Sequence, residues 1–205
     1  MIAVIDYGMG NLRSVEKALE ISGGDVVITS SAAEIKKCSK LVFPGVGSFG
    51  DAMKELKNRR LIEPIKCAIE SGKPFLGLCL GLQLLFENSE EAPGVKGLGI
   101  LAGEVKRFRA GSLKVPHMGW NDIVRSSKPV VRGKNILAGV PDGSYMYFVH
   151  SYYVKPEDKG VVLTTTDYGI KFVSAVEMDN IYGLQFHPEK SQSTGLKILK
   201  NFVRL

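Results

Sequence analysis

The sequence has little of what supports a disulfide framework or a metal site. Only 3 of its 205 residues are cysteine, and only 3 are histidine. The cysteines form no C-x-x-C pair, which argues against a disulfide framework or a cysteine zinc site and predicts reduced thiols. The histidines show no H-x-x-x-H or H-E-x-x-H spacing, so metal binding is a weak alternative and no metal is expected.

Long apolar runs are missing as well. The apolar start of the chain is interrupted at Asp6, unlike a signal peptide, and no apolar run approaches membrane-spanning length. We therefore expect a cytoplasmic protein that does not interact with a membrane. With 205 residues, 44% of them hydrophobic, the chain is long enough for one full-sized domain and too short to presume two. Residues 1–205 are predicted to form a single domain.

Positive charge is present but is not concentrated in one tract. The net charge is +6, yet the 27 basic residues are scattered as short pairs among 21 acidic ones. No RNA-type aromatic motif or zinc-finger spacing accompanies them, so nucleic-acid binding is not expected. An acidic protein partner or an anionic metabolite fits the charge equally well.

The spacing of apolar residues predicts an α/β protein. In the first part of the chain, strand patterns alternate with helical spacing, which indicates a parallel sheet with crossover helices. The predicted strands there are residues 2–6, 26–29, 41–43 and 75–78. Helices are predicted at residues 12–21, 49–56 and 61–69. A further short helix is predicted to begin at the capping box of residues 31–34, and another is predicted to follow the last of these strands and to reach residue 86. Beyond residue 94 the strands are predicted at 100–108, 121–124, 145–149, 161–166, 172–178 and 181–185, followed by a helix at 194–203. The expected fold is a flavodoxin-like, open and largely parallel sheet flanked by helices, with a β-rich C-terminal half.

Cys79 lies on the most distinctive turn of the sequence. Residues 77–81 place it between two glycines, after a predicted strand and before a predicted helix. Glycines permit the tight backbone of a G-x-nucleophile-x-G turn, and a helix N-terminus favours a thiolate. The turn also falls at the carboxyl end of a parallel strand, where open α/β sheets place their sites. Taken alone, the same pentapeptide fits equally well a small cysteine buried between glycines.

His187 is the best candidate for the base that such a nucleophile needs. It follows the last predicted strand, and Glu189, two residues on, can accept the N–H of the ring and select the useful tautomer. His117 and His150 have no carboxylate neighbour in the sequence, and we interpret them as structural histidines. The predicted catalytic residues are therefore Cys79, His187 and Glu189.

Acyl transfer also requires donors for the developing oxyanion. The backbone N–H of Leu80, at the start of the predicted helix, is one candidate. The glycine-rich loop at residues 44–47 also follows a strand, and its glycines let main-chain amides approach a substrate. A plain tight turn, or a phosphate-cradling loop without catalysis, is an equally good interpretation of that loop alone.

Five motifs, in order along nearly the whole chain, resemble class I, or triad, glutamine amidotransferases. They are residues 7–11, 44–50, 77–83, 116–121 and 185–191. Within that family, the motifs are most similar to a glutaminase subunit that passes ammonia to a cyclase in histidine biosynthesis. The resemblance implies hydrolysis of L-glutamine to glutamate and ammonia through a cysteine thioester, with no cofactor. It also implies a heterodimer with a cyclase subunit of (β/α)8-barrel fold.

The same resemblance implies roles for individual residues. Cys79 attacks the amide carbon, His187 transfers protons and Glu189 orients His187. The N–H groups of Val46 and Leu80 are expected to form the oxyanion hole. The residues expected to hold glutamine are Gly47, Gln83, Glu91, Ser151 and Tyr152, with Glu91 suited to the α-ammonium group. The candidates for the partner surface are Asn11, Trp120 and Lys190.

Several alternatives stay open on the sequence alone. Glu91 lies in a charge run that would ordinarily be a solvated face, and Trp120 can equally belong to the core. A Cys-His-Glu hydrolase acting alone, such as a γ-glutamyl peptidase, would use the same triad. A non-catalytic flavodoxin-like module could bind phosphate through the loops at residues 8–10 and 45–47.

Overall fold

A sheet of 12 strands forms the centre of the fold in a computed structural model that describes residues 1–109, 113–126 and 135–205. The strands are β1 (Ile2–Ile5), β2 (Val26–Thr29), β3 (Lys40–Gly45), β4 (Phe75–Cys79), β5 (Asn88–Ser89), β6 (Gly103–Arg107), β7 (His117–Arg125), β8 (Ser144–His150), β9 (Tyr152–Pro156), β10 (Val162–Asp167), β11 (Lys171–Met178) and β12 (Ile181–Leu184). The α-helices are α1 (Leu12–Ile21), α2 (Ala32–Lys37), α3 (Phe49–Asn58), α4 (Ile62–Glu70), α5 (Leu80–Gln83) and α6 (Gln192–Val203). Short 3-10 turns lie at Lys159–Val161 and Pro188–Lys190. None of the helices in these ranges is both long enough and apolar enough to cross a membrane.

Five strands make up a parallel half of the sheet, in the order β2-β1-β3-β4-β12. This is the flavodoxin-like order, with β12 in the place of the fifth strand. Helices α1 and α6 pack on one face, and helices α2, α3 and α4 pack on the other. Every residue of β1 and of β4 is buried, because both faces are covered. The predicted fold class is confirmed.

The remaining strands form the β-rich half that the sequence predicted. Strands β11, β10, β7 and β8 continue the sheet from β12 with antiparallel pairing, while β6 pairs with β9 and β9 with β11. The sequence prediction missed β5 and β9. It also made the strand at 100–108 too long, because β6 covers only Gly103–Arg107, and it made the strand at 121–124 too short, because β7 begins at His117.

The predicted helix after the cysteine turn is shorter than expected. It ends at Gln83 instead of reaching residue 86. The carbonyl of Leu84 accepts the N–H of Leu98, and the carbonyl of Leu85 accepts the N–H groups of Ile100 and Leu101. These long-range bonds replace the helical ones, so the apolar residues 84–86 are buried by tertiary packing and not by a helix.

The parallel pairing brings three strand ends to one edge of the sheet. Gly45 at the end of β3 pairs with Cys79 at the end of β4, and Leu78 pairs with Leu184 at the end of β12. The loop after β3, the cysteine turn and the segment that leads to His187 therefore lie side by side. The carboxyl edge of a parallel sheet is where such folds place their sites.

Candidate active site

The turn at Cys79 has the strained geometry of a nucleophile elbow. Its φ of 51° and ψ of −107° are rare for a residue with a side chain. The flanking glycines are required by close packing: a Cβ on Gly77 would lie 2.7 Å from the carbonyl oxygen of Gly81, and one on Gly81 would overlap the carbonyl oxygen of Phe43. The two glycines thus let β3, β4 and α5 approach closely enough to hold the cysteine at the tip of β4.

His187 and Glu189 form a buried pair beside the cysteine. Nδ1 of His187 lies 2.8 Å from Oε1 of Glu189, and the two side chains are 5% and 2% exposed. The backbone fixes this geometry, because the N–H of His187 donates to the carbonyl of Tyr147 and the hydroxyl of Ser191 donates to the carbonyl of His187. The carboxylate therefore holds the proton on Nδ1 and leaves Nε2 to face the reaction.

The charge on the imidazole is governed by its neighbours. Burial opposes protonation of His187, but Cys79 and the hydrogen-bonded Glu189 outweigh that effect and raise its pKa above the usual value. The interaction of the ring with the side chain of Cys79 is the largest of the effects that raise this pKa, ahead of the hydrogen bond to Glu189. The ring is placed to take up a proton from the sulfur.

A cavity of about 350 Å³ opens over these residues, large enough for an amino-acid side chain and backbone. Its walls contain every residue that was predicted to hold glutamine or to stabilise an oxyanion. The lining residues are Val46, Gly47, Cys79, Leu80, Gln83, Glu91, Pro116, Val149, His150, Ser151, Tyr152 and His187. The sequence predictions therefore converge on one site.

Glu91 belongs to the cavity wall and not to a freely solvated face. Its Oε2 accepts the N–H of Phe49, at the start of α3, at 2.8 Å. Partial burial raises the pKa of this carboxyl group, and the hydrogen bond from Phe49 opposes that effect. The hydrogen bond from Phe49 thereby fixes the position of this carboxyl group in the wall of the cavity.

Comparisons with known proteins agree with this geometry. Residues 3–205 match the family model described as glutamine amidotransferase class-I. The chain belongs to the class-I glutamine amidotransferases. The imidazole glycerol phosphate synthase subunit HisH of Aquifex aeolicus (strain VF5) is 55% identical over 202 residues, which cover 98% of this chain and 95% of that protein. The protein of the same description from Syntrophotalea carbinolica is 52% identical over 208 residues, 98% of each chain.

A solved structure described as a glutamine amidotransferase shares the fold. It has a TM-score of 0.76, covers 100% of both chains and is 18% identical in sequence. The predicted family, the similarity to the glutaminase subunit of imidazole glycerol phosphate synthase and the enzyme class are confirmed. The interpretation of the chain as a non-catalytic phosphate-binding module is wrong, because the family is one of enzymes.

The two candidates for the oxyanion hole lie on neighbouring segments of the amidotransferase, one in a loop and one at the start of a helix. Leu80 is the first residue of α5, and Val46 is 43% exposed in the loop after β3. Gly47 follows with a φ of +98°, a backbone conformation that favours glycine. Both candidates border the cavity beside Cys79. Their role as donors stays a prediction.

Trp120 is a surface residue, so its placement in the core is excluded. It lies on β7, is 46% exposed, and its ring is 6.0 Å from the ring of Tyr147. Nζ of Lys190 lies 5.6 Å from the centre of the same tyrosine ring. We call Trp120, Tyr147 and Lys190 the aromatic patch. Asn11 is also exposed and caps α1, where its side chain accepts the N–H of Ser14.

The sequence prediction missed one residue that contacts the nucleophile. Nε2 of Gln185 donates to the sulfur of Cys79 at 3.6 Å, and Gln185 is completely buried. The signal that could have found it is the parallel pairing of β12 with β4, which places residue 185 beside residue 79. His117 and His150 are buried and hydrogen-bonded to each other at 3.0 Å, as expected for structural histidines.

Proposed function

We propose that this amidotransferase hydrolyses L-glutamine to glutamate and ammonia in the cavity at Cys79. It then supplies the ammonia to a cyclase subunit of (β/α)8-barrel fold with which it forms a heterodimer. The observation that carries the proposal is the placement of Cys79, the His187–Glu189 pair and all the predicted glutamine-binding residues around one cavity. Residues 1–205 act in this proposal as one glutaminase domain, located in the cytoplasm.

The chemistry follows from the arrangement of the triad. Nε2 of His187 takes the proton of the Cys79 thiol as the sulfur attacks the side-chain amide carbon of glutamine. The N–H groups of Val46 and Leu80 stabilise the oxygen that becomes negative. The proton on Nε2 then passes to the departing nitrogen, and ammonia leaves behind a thioester. Water attacks the thioester with His187 as base, and glutamate and the thiol are released.

Binding of the amino-acid end of glutamine is assigned to the other side of the cavity. Glu91 is the anionic group at the rim, and it pairs with the α-ammonium of the substrate. Partial burial strengthens such a pair relative to one on the open surface. The remaining contacts are assigned to Gly47, Gln83, Ser151 and Tyr152. These contacts position the amide carbon over the sulfur and select glutamine by its length.

Delivery of ammonia explains why a partner is needed. Ammonia released into neutral water would be captured as ammonium and lose its nucleophilicity. The aromatic patch borders the triad, because the ring of Tyr147 lies 6.5 Å from the ring of His187. A cyclase docked on Trp120 and Lys190 would therefore cover the point at which ammonia leaves. Asn11 would extend that surface, since α1 contacts the turn that carries Lys190.

One experiment tests both parts of the proposal. Ammonia release from glutamine is measured for the chain alone and with the cyclase subunit of the same organism, with the cyclase substrate added and omitted. Cys79→Ala should abolish release, whereas Cys67→Ala, at an exposed cysteine of α4, should leave it unchanged. Normal turnover by Cys79→Ala would refute the mechanism. Full activity of the chain alone, with no complex in analytical ultracentrifugation, would favour the independent hydrolase.

A further inference from the structure

A chain of buried hydrogen bonds ends on the sulfur of Cys79. Nε2 of Gln185 donates to Sγ at 3.6 Å, and Oε1 of Gln185 accepts from Nε2 of Gln83 at 3.2 Å. Nε2 of Gln83 also donates to the backbone carbonyl of Tyr152 at 3.0 Å. Gln83 is 4% exposed and Gln185 is 0% exposed. Water therefore does not compete for these bonds.

The direction of both side-chain amides is fixed by the backbone. A carbonyl oxygen can only accept, so the end of Gln83 that faces Tyr152 is its NH2 group. The second N–H of that group points at Gln185, which must present its oxygen there and its own NH2 group to Cys79. Reversing Gln185 would place two donors against each other and a carbonyl oxygen against the sulfur. The sulfur consequently faces a donor of known orientation.

The far end of the chain is fixed in the same way. The carbonyl of Tyr152 also accepts from Nδ1 of His150 at 2.8 Å, which leaves Nε2 of His150 to accept from Nδ1 of His117 at 3.0 Å. Nε2 of His117 accepts from Nδ2 of Asn121 at 3.3 Å, and that nitrogen also donates to the carbonyl of Asp167 at 2.8 Å. Each imidazole is therefore neutral and in one tautomer. Burial agrees with this, because it lowers the pKa of His117 to about 4 and that of His150 to about 3.

We propose that Gln185 is a positioning residue for the nucleophile, and that its amide N–H holds the sulfur of Cys79 at the point of attack on the substrate. The inference rests on the proposed function for its role in turnover. In the resting site the thiol of Cys79 can donate its proton to the carbonyl of Val149, 3.9 Å away. At the same time the sulfur accepts the N–H of Gln185. As the thiol proton moves to His187, the sulfur becomes negative and its bond to a fixed N–H donor strengthens. Gln185 thus contributes more in the transition state than in the ground state.

Gln185→Met removes the donor and keeps a side chain of similar length. Its matched control is Ser174→Ala, which breaks the buried hydrogen bond of 2.9 Å between Ser174 and Thr164 in the same sheet. Three quantities are measured: kcat and KM for glutamine in the complex with the cyclase, the rate at which iodoacetamide alkylates Cys79 in the free chain, and the thermal midpoint. Gln185→Met should lower kcat about ten- to a hundredfold, the effect of losing one hydrogen bond to a charged group.

The alkylation rate should fall in parallel, and KM should change far less than kcat. Ser174→Ala should lower the thermal midpoint without changing kcat or the alkylation rate. If Gln185→Met does not fold, Gln185→Leu serves as the second variant, because it also removes the N–H donor and places a smaller apolar side chain at this buried position. It should lose kcat at least as strongly.

The outcomes separate this inference from the proposed function. Unchanged kcat and alkylation in Gln185→Met or Gln185→Leu would overturn the positioning role, while loss of activity in Cys79→Ala would still support the mechanism. A loss of kcat in Ser174→Ala as large as that in Gln185→Met would also overturn the positioning role, because any weakening of the sheet would then be sufficient to explain the loss. If Cys79→Ala kept its activity, the mechanism would fail, and the alkylation rate would still report on Gln185.

Discussion

Glu177 is a buried carboxyl group whose replacement by glutamine should stabilise the protein above neutral pH. It lies in β11, is 4% exposed, and neither of its oxygens has a hydrogen-bond partner among the described residues. Tyr182 is its neighbour across the pairing of β11 with β12, and the tyrosine ring packs 6.3 Å from that of Phe202 in α6. Burial raises the pKa of Glu177 to about 7. The folded protein therefore favours the neutral acid.

The size of the effect follows from the two pKa values. An ordinary glutamate has a pKa of 4.5, as expected in the unfolded chain, and the folded value is about 7. Each pH unit between them corresponds to about 1.4 kcal/mol, which gives about 3 kcal/mol in total. Because the unfolded state loses its proton first as the pH rises, the folded state loses stability between pH 4.5 and about 7. Above that window the penalty is constant.

Glu177→Gln keeps the shape of the side chain and removes its titration. Chemical unfolding of both proteins should show little difference at about pH 4 and a gain of about 3 kcal/mol for the variant at about pH 8. Thermal unfolding should show a midpoint higher by about 6 to 12 °C at the higher pH. Glu157→Gln, at an exposed position after β9, should show no such pH dependence. A difference between wild type and Glu177→Gln that did not change with pH would refute the reasoning.

Two further predictions concern the geometry of the site. Gly81→Ala should destabilise the protein by about 1 to 3 kcal/mol and lower ammonia release, because the added methyl group overlaps the carbonyl of Phe43. A urea unfolding midpoint equal to that of the wild type would contradict this prediction. Glu189→Gln should lower kcat by about 10² to 10⁴, because an amide can donate to Nδ1 of His187 and select the wrong tautomer. The same variant should lower the pKa of His187, which NMR titration measures, and an unchanged pKa would show that the pair is unimportant.

The sequence was sufficient for the parts of the fold whose signals are local. The alternation of strands and helices up to Cys79 is carried by periodicity, caps and glycines, and the helices begin where Ser31 and Ser48 cap them. The β-rich half was harder, because β9 follows β8 after a single residue and resembles its continuation. The early end of α5 at Gln83 depends on hydrogen bonds to residues 98–101, which no local pattern contains.

The candidate site shows the same division between local and long-range information. The turn at Cys79 and the pair of His187 with Glu189 are short motifs, so each can be found within a few residues of the chain. Gln185 differs, because its contact with Cys79 spans 106 positions and exists only when β12 lies next to β4. Its place in the sequence, two residues before His187, predicts a strand residue and nothing about the sulfur. A further role can therefore be assigned to it only after the register is known.

The register also explains why the cysteine turn tolerates so little change. Gly45 and Leu184 flank the tip of β4 through their strand pairings, and α5 begins directly after Cys79. Any added volume at Gly77 or Gly81 would separate these elements, and that movement would carry the sulfur away from both His187 and Gln185. The glycines that first marked the turn in the sequence are thus needed for packing and for catalytic geometry by the same contacts. Stability and glutaminase activity should consequently fall together in variants of this turn, whereas they should separate in Gln185→Met and Ser174→Ala.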